Sequence, residues 1–495
     1  MQGKKKYQEK LFLNFQLSTA VPEDNFYRRL NQLIDFSFLY KVTSKYYGSE
    51  GQRSIDPVVF MKLMLVGYLE NCNSDRRIIA ISKLRLDILL FIGYDIDEDL
   101  PWHSTLSRTR QLYGEEVFMD LFKLVLKQCI DKGMVSGKRQ AVDGVFVKAN
   151  ASLDNMVSRD IMSDAEVFGQ ELKENDPEEP KSTVKLDPSK HSKQKQNPVN
   201  ETHYNKNDPE AKLSVKPGKA TALNYLGQVS VDTSSHTITH IQAFPADIRD
   251  SDCLPEVVQH LKSNLQSLGL RVEEIIADTG YSSGKALQAL EENNIKGYIP
   301  NRTQFIYERE DFPYHKEGDY YECKNQKRLT YRGTFLAGKY YNKEYRLERA
   351  VCKICPFKET CTAYGKQGAK IRESIDRPYY ERMHLRMKSP EARTIMRQRQ
   401  STVEPVIGTL VNFLGMKRVN TIGRSQANKC VTMAAIAYNL KKLLKHSSEK
   451  ANDRLKQAIS CPVTLYKLAI ELAKHLQQLN CRKTSFKRKP ILTFN

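Results

Sequence analysis

The chain has 495 residues, a formal charge of +20 and an isoelectric point near 9.3, with 40% hydrophobic and 27% charged residues. That composition fits a soluble globular protein long enough for a sizeable core and two or more domains. No apolar run approaches the roughly 18 residues that a membrane span requires, and the basic N-terminus lacks an apolar signal core, so neither membrane insertion nor secretion is expected. The excess positive charge favours a polyanionic partner, nucleic acid ahead of an anionic membrane, because no basic amphipathic anchor is evident. The ten cysteines read as reduced thiols, most of them small core residues, apart from one cluster described below.

Residues 1–137 read as helical. Asp56-Pro57 opens an apolar helix (VVFMKLMLVGYLEN), and residues 75–90 form a second, with Ile78, Ile79, Ile81, Leu84 and Leu86. The segment PWHSTLSRTRQLYG then offers Ser104 or Thr105 as a helix cap, with Ser107, Arg108 and Arg110 beyond it. The module has helix-turn-helix character. Ser107, Arg108 and Arg110 suit DNA phosphates or base edges, and equally suit a solvated basic face on a packing helix. His103 reads as structural.

Residues 139–151 (RQAVDGVFVKANA) form a strand with Asp143 inside it. An acid there is unusual, because strands are depleted in Asp and cores exclude unpaired charge. Residues 155–220 hold a polar insertion, poorest in apolar residues over 173–206. Two alternating runs, 224–231 and 237–243, follow as a hairpin joined at 234–236. Asp232, Asp250 and Asp252 are further acids in this region, adequately explained by turn positions. In VEEIIADTGYSSGKALQALEEN, residues 272–293, a short β-branched run ends at Asp278. A turn and a helix follow, the helix capped from Ser282-Ser283-Gly284. Asp278 thus falls at the carboxyl end of a buried strand, where α/β sheets place ligands. An Asp that merely caps the next turn is the plain alternative.

More than a hundred residues separate Asp278 from Glu404, too many for a simple loop. A strand-rich region opens at Tyr320, followed by Cys352-Lys353-Ile354-Cys355 and by Cys361. Cys-x2-Cys places two thiolates on one knuckle, as tetrahedral Zn²⁺ requires, and Cys361 and Cys323 supply a third and fourth. His384 is a weaker candidate, and free thiols in a small core are the alternative. Tyr340, Tyr341, Lys339, Lys343 and Arg346 suit base stacking and phosphate contacts, or equally a strand core and surface. Glu404 then borders an apolar helical stripe with Val403, Ile407 and Leu410 or Val411. Pro405 either kinks that helix or marks its first turn, with Thr402 as cap. Residues 429–444 read as an apolar helix. Residues 441–495 hold thirteen Lys or Arg against three Asp or Glu, which is half the net charge. This part reads as a helix and a basic tail that binds DNA nonspecifically or serves solubility.

Two Asp on neighbouring parallel strands lie about 4.8 Å apart, close enough to share a divalent metal. A Glu from a packed helix completes a second site, and two ions roughly 3.5–4 Å apart activate water and stabilise the leaving oxygen at a phosphodiester. The segments VDGVFVKANAS, NDPEAKLSVKPGKATALNYLGQVSVD, IIADTGYSSGKAL and TVEPVIGTLVNFLGMKRVNTIG, in that order, resemble the bacterial insertion-sequence transposases of the DDE type. The resemblance covers about residues 22–444. It implies an α/β fold with an RNase H-like mixed sheet flanked by helices, an all-α N-terminal domain and a small Cys-rich insertion. It implies Asp143, Asp278 and Glu404 as catalytic ligands of Mg²⁺ or Mn²⁺. Many relatives carry Arg four residues before the Glu and Lys seven after it; Gln400 and Val411 stand there in this chain. Arg397, Arg399, Lys417 and Arg418 flank Glu404 out of that register and are the nearby DNA-binding candidates. Lys212, Lys216 and Lys219 are others.

The expected domains are a helical DNA-binding domain at 1–137, a core in two parts at 138–300 and 389–445, a Cys-rich insertion with a possible structural zinc at 301–388, and a basic helix and tail at 446–495. The expected activity is metal-dependent cleavage and strand transfer at the terminal inverted repeats of the chain's own element. The expected partners are those repeats and target DNA, with a homo-oligomer on paired ends, no membrane, and a cytoplasmic, nucleoid-associated location. The alternatives are a metal-dependent nuclease without strand transfer and a non-catalytic DNA-binding regulator derived from a transposase.

Overall fold

Local sequence sets the first helices. Asp56 accepts hydrogen bonds from the amides of Val58 and Val59 and Pro57 takes the first helical position, so the following apolar run is held as a helix. The computed structural model describes residues 15–48, 50, 54–159, 199–214, 221–301, 309–337 and 340–460. Most of the expected polar insertion, Lys216, Lys219, Lys339 and the sequence after residue 460 lie outside the described residues. The chain divides into two compact units, Met1–Asn439 and Leu440–Asn495. Among the described residues, no helix is long and apolar enough to cross a membrane.

The N-terminal helices are α1 (Phe26–Leu33), α2 (Phe38–Thr43), α3 (Pro57–Leu69), α4 (Asp75–Leu84), α5 (Leu86–Ile92), α6 (His103–Leu112) and α7 (Glu115–Asp131). The single helix expected over 75–90 is broken at Arg85, which is extended while its guanidinium pairs with Glu70 and Asp87. Nor do Ser104 and Thr105 cap α6: the helix begins at His103, and its cap position, Trp102, makes no side-chain cap bond.

The central sheet forms around β1 (Arg139–Lys148). β2 (Ala222–Asp232) pairs antiparallel with β1, and β3 (Ile238–Pro245) pairs antiparallel with β2. On the other side, β4 (Glu274–Ile276) is parallel to β1 and β5 (Lys296–Tyr298) is parallel to β4. The order β3-β2-β1-β4-β5, three antiparallel strands followed by two parallel ones, is that of an RNase H-like sheet, and the short strand Lys212–Ser214 also pairs with β2. The helices α8 (Asp250–Ser267) and α9 (Gly284–Glu292) join these strands, and Ser283 caps α9 by accepting from the Ala286 amide.

A second, antiparallel sheet follows, with β6 (Tyr320–Glu322), β7 (Arg328–Ala337), β8 (Tyr340–Arg346) and β9 (Gly368–Ser374). Its own small core holds Phe312, Tyr321, Leu329, Tyr345, Cys352 and Ile371. Then come α10 (Arg377–Met387), α11 (Pro390–Phe413) and α12 (Arg424–Ser460). Glu404 and Pro405 lie inside α11, so Pro405 does not open the helix. Ser389 caps it by accepting from the Ala392 amide, with Pro390 in the first turn. Thr402 instead donates back to the Gln398 carbonyl.

The turn between α3 and α4 is tied to the loop after α11. Asn71 donates to the Asn412 carbonyl and accepts from the Gly415 amide; Asn73 donates to the carbonyls of Gly415 and Arg418. These bonds fix the backbone that carries Lys417 and Arg418.

Candidate active site

Strand register brings two acids together. Arg139, Gln140 and Ala141 lie beside Glu274, Ile275 and Ile276. The paired stretch ends there; Asp278 follows the carboxyl end of β4 by two residues, Asp143 follows Ala141 by two, and the charge of Asp278 acts on Asp143. Each carboxylate is oriented by nearby backbone: Asp143 Oδ1 accepts from the Gly144 amide at 2.9 Å, and Asp278 Oδ1 from the Gly280 amide at 2.8 Å. Asp278 therefore does cap the following turn, as the plain reading of the sequence has it, while standing in the site.

Asp143 is half-buried. Burial pushes its carboxyl above the usual carboxylate range; the Arg399 guanidinium opposes the shift, and the charge of Asp278 adds to it. Two carboxylates in one partly desolvated place are a charge deficit that a cation relieves. The pair thus suits Mg²⁺ or Mn²⁺, which take oxygen ligands.

Glu404 is placed differently. The buried stripe of α11 holds Ile395, Arg399, Thr402, Val403, Val406 and Leu410, and Glu404 is exposed beside it. Arg399 reaches Asp143, and Glu404 lies five residues, about 7.5 Å of helix rise, further along. Among the described residues, no three His, Cys, Asp or Glu side chains are grouped to hold a metal ion. The structure joins Asp143 with Asp278 and leaves Glu404 on the neighbouring helix.

Two of the DNA-binding candidates are buried, and their expected roles are corrected. Arg110 is 1% exposed, because it shares the inward stripe of α6 with Leu106 and Thr109; it donates to both oxygens of Asp75, at 2.5 and 3.2 Å. It is a core ion pair. Arg399 is 8% exposed and serves Asp143. By contrast Arg108, Arg397, Lys417 and Arg418 are exposed, and Ser107 is half-buried. Lys417 and Arg418 sit at the end of β1, where Lys148 bridges to Arg418.

All four expected zinc ligands, Cys323, Cys352, Cys355 and Cys361, line one cavity of about 30 Å³ and are free thiols. The Ala369 amide donates to Cys352 Sγ at 3.3 Å. Burial raises the Cys352 thiol; that amide opposes the shift, and Cys361, Cys323 and Cys355 add to it. As placed, the four do not form a closed ligand set. Their shared cavity and the amide on sulfur fit a thiolate site.

Sequence reasoning set aside Asp250 and did not single out Gln228 or Tyr281. Gln228 lies opposite Gly144 on β2, donates to Asp250 Oδ1 at 2.6 Å, and accepts from the Tyr281 hydroxyl. A glycine directly after Asp143 and another two residues after Asp278 were the available signal.

Two family profiles match the chain: a transposase domain, DUF772, over residues 15–112, and a transposase DDE domain over residues 322–444, which includes Glu404. No curated protein matches. Among solved structures, a piggyBac transposase synaptic complex with hairpin DNA aligns over 90% of this chain and 82% of its own, at 10% identity and a TM-score of 0.28. A Mos1 transposase paired-end complex with the left transposon end aligns over 51% and 60%, at 10% identity and a TM-score of 0.16. At these TM-scores the assignment rests on the two family profiles. Over those two stretches the chain is similar to transposases of the DDE type.

Proposed function

We propose that the chain is an insertion-sequence transposase of the DDE type that binds the ends of its own element and carries out divalent-metal-dependent strand cleavage and strand transfer. The observation that carries the proposal is the closeness of Asp143, inside β1, to Asp278, which follows the parallel strand β4: the charge of Asp278 acts on the Asp143 carboxyl. Asp143 and Asp278 would hold Mg²⁺ or Mn²⁺ from the sheet, and Glu404 would join them from α11. When bound, the ions supply charge stabilisation at the phosphodiester and an activated water. The chain's own contribution is orientation: the Gly144 and Gly280 amides fix the two carboxylates, and Arg399 holds the second oxygen of Asp143.

DNA would meet Ser107 and Arg108 on α6, Arg397 on α11, and Lys417 with Arg418 at the end of β1. The formal charge of +20 supports that partner. Strand transfer joins two ends of one element to one target, so the working form would be a homo-oligomer on paired ends. Cys323, Cys352, Cys355 and Cys361 would bind a structural Zn²⁺ that fixes the insertion at 301–388. The helical part at 1–137 would read the ends, the core at 138–300 and 389–445 would carry the chemistry, and residues 446–495 would bind DNA nonspecifically. The protein would act on DNA in the cytoplasm, at the nucleoid.

The exposed position of Glu404 favours one second reading, a non-catalytic DNA-binding regulator derived from a transposase. Labelled DNA carrying the element's terminal repeats, incubated with and without Mg²⁺, separates the readings. A transposase yields nicked ends and joined products, a simple nuclease yields nicks alone, and a regulator yields a bound complex with neither.

A further inference from the structure

Asp250 opens α8 and lies against Gly144 on β1 and Gly280 in the turn after Asp278. Its Oδ1 accepts from Gln228 Nε2 at 2.6 Å. Gln228 is fully buried, and its other amide atom accepts from the hydroxyl of Tyr281, which is also fully buried and sits three residues after Asp278. A chain of contacts thus runs from α8, across β2, to the Asp278 turn.

The two glycines show how close this carboxylate lies. A Cβ at Gly144 would collide with Asp250 Oδ1 and stand 3.1 Å from Gln228 Nε2. A Cβ at Gly280 would stand 3.6 Å from Asp250 Oδ2 and 2.9 Å from Asp278 Oδ1. Neither glycine has a positive φ, so backbone conformation does not demand glycine at either place. At Gly144 the demand is space for Asp250. These are also the residues whose amides orient Asp143 and Asp278.

We infer that Asp250 is a positioning residue for the acid pair: gripped by Gln228, its carboxylate packs against the backbone at Gly144 and Gly280 and fixes the amides that aim Asp143 and Asp278. The N-terminus of an 18-residue helix favours a carboxylate at this position. The inference rests on the proposal that the pair binds a divalent metal, and residues that orient metal ligands typically alter affinity by about 10–100-fold when changed.

The test is Mn²⁺ binding to the full-length protein, without DNA, read by electron paramagnetic resonance, with Asp143→Asn/Asp278→Asn as the baseline. Asp250→Ala should weaken binding about tenfold or more. Asp250→Asn, which can still accept from Gln228, should recover part of the loss. Gly144→Ala should weaken binding in the wild-type background and add little to Asp250→Ala, because the carboxylate that the new methyl would strike is then gone and only the side-chain amide of Gln228, at 3.1 Å, has to give. Thermal melts establish that each variant is folded; should Asp250→Ala fail to fold, Gly144→Ala carries the same expectation. Wild-type binding no better than the baseline would overturn the metal reading and the inference with it. Wild-type binding above the baseline, together with unchanged affinity in folded Asp250→Ala or additive losses in the double variant, would overturn the inference alone.

Discussion

Arg399 donates through Nη1 to Asp143 Oδ2 at 3.2 Å, across 256 residues of sequence. Both side chains are largely withdrawn from water, with 10% and 20% of their side-chain surface exposed. The helix that carries Glu404 is thereby tied by charge to the strand that carries Asp143. Removing one partner of such a pair leaves the other charge uncompensated. Arg399→Leu should therefore lower stability by about 3 kcal/mol, measured by urea unfolding. Adding Asp143→Asn in the same background should restore part of it. A cycle with strictly additive losses would show that the pair is not coupled.

The two arginines of α6 should behave oppositely. Arg110→Ala removes the partner of Asp75 in the core and should cost about 3–5 kcal/mol in denaturant unfolding. Arg108→Ala touches an exposed side chain and should change stability by no more than about 0.5 kcal/mol. It should instead reduce the preference for element ends over random DNA, read as a pair of affinities at fixed salt. Equal preference for ends in Arg108→Ala and wild type would remove Arg108 from the interface.

These cases show what the sequence carried and what it did not. Asp278 was legible because a β-branched run, an acid and a turn signal succeed one another, and each local feature held. Asp143 was legible because an acid inside a strand is costly and asks for a reason. The burial of Arg110 could have been read from its spacing, since it lies four residues after Leu106 on the same face of α6. The Arg399–Asp143 pair could not be read from local pattern, because nothing near either residue names a partner hundreds of positions away. Asp250 was set aside for the same reason: its turn position explained it locally, and only the folded sheet brings Gln228, Gly144 and Gly280 to it.

Acid should weaken the protein partly through His240. Burial lowers this imidazole from the usual 6.5 to about 3, nearby His260 acts in the same direction, and Gln242 opposes. Glu115, Glu116, Lys123, Lys429 and His260 line the adjoining cavity of about 370 Å³. The unfolded chain takes up this proton near pH 6.5 and the folded chain does so only near 3. The stability is thus fully present above pH 6.5 and is lost as pH falls towards 3, at up to about 1.4 kcal/mol per pH unit. His240→Gln should flatten the fall in melting temperature between pH 6.5 and 4, roughly the upper part of that window. Parallel curves for the two proteins would exclude His240 as the cause.

One Zn²⁺ per chain is expected on Cys323, Cys352, Cys355 and Cys361. Elemental analysis of purified protein should find it, and Cys352→Ser should lose it and lower the melting temperature. Absence of zinc, with all four thiols freely alkylated, would reject the site and leave a small thiol-lined core.

The central claim concerns Asp143, Asp278 and Glu404, and cleavage of labelled DNA carrying the element's ends tests it most directly. Wild-type protein with Mg²⁺ or Mn²⁺ should cut at the ends. Asp143→Asn, Asp278→Asn and Glu404→Gln should each abolish cutting while end binding in a gel-shift assay persists, because each change removes a metal-binding charge and keeps the shape. Cleavage at near wild-type rate in Asp143→Asn or Asp278→Asn would contradict the account, and the same result for Glu404→Gln alone would confine the site to the two aspartates.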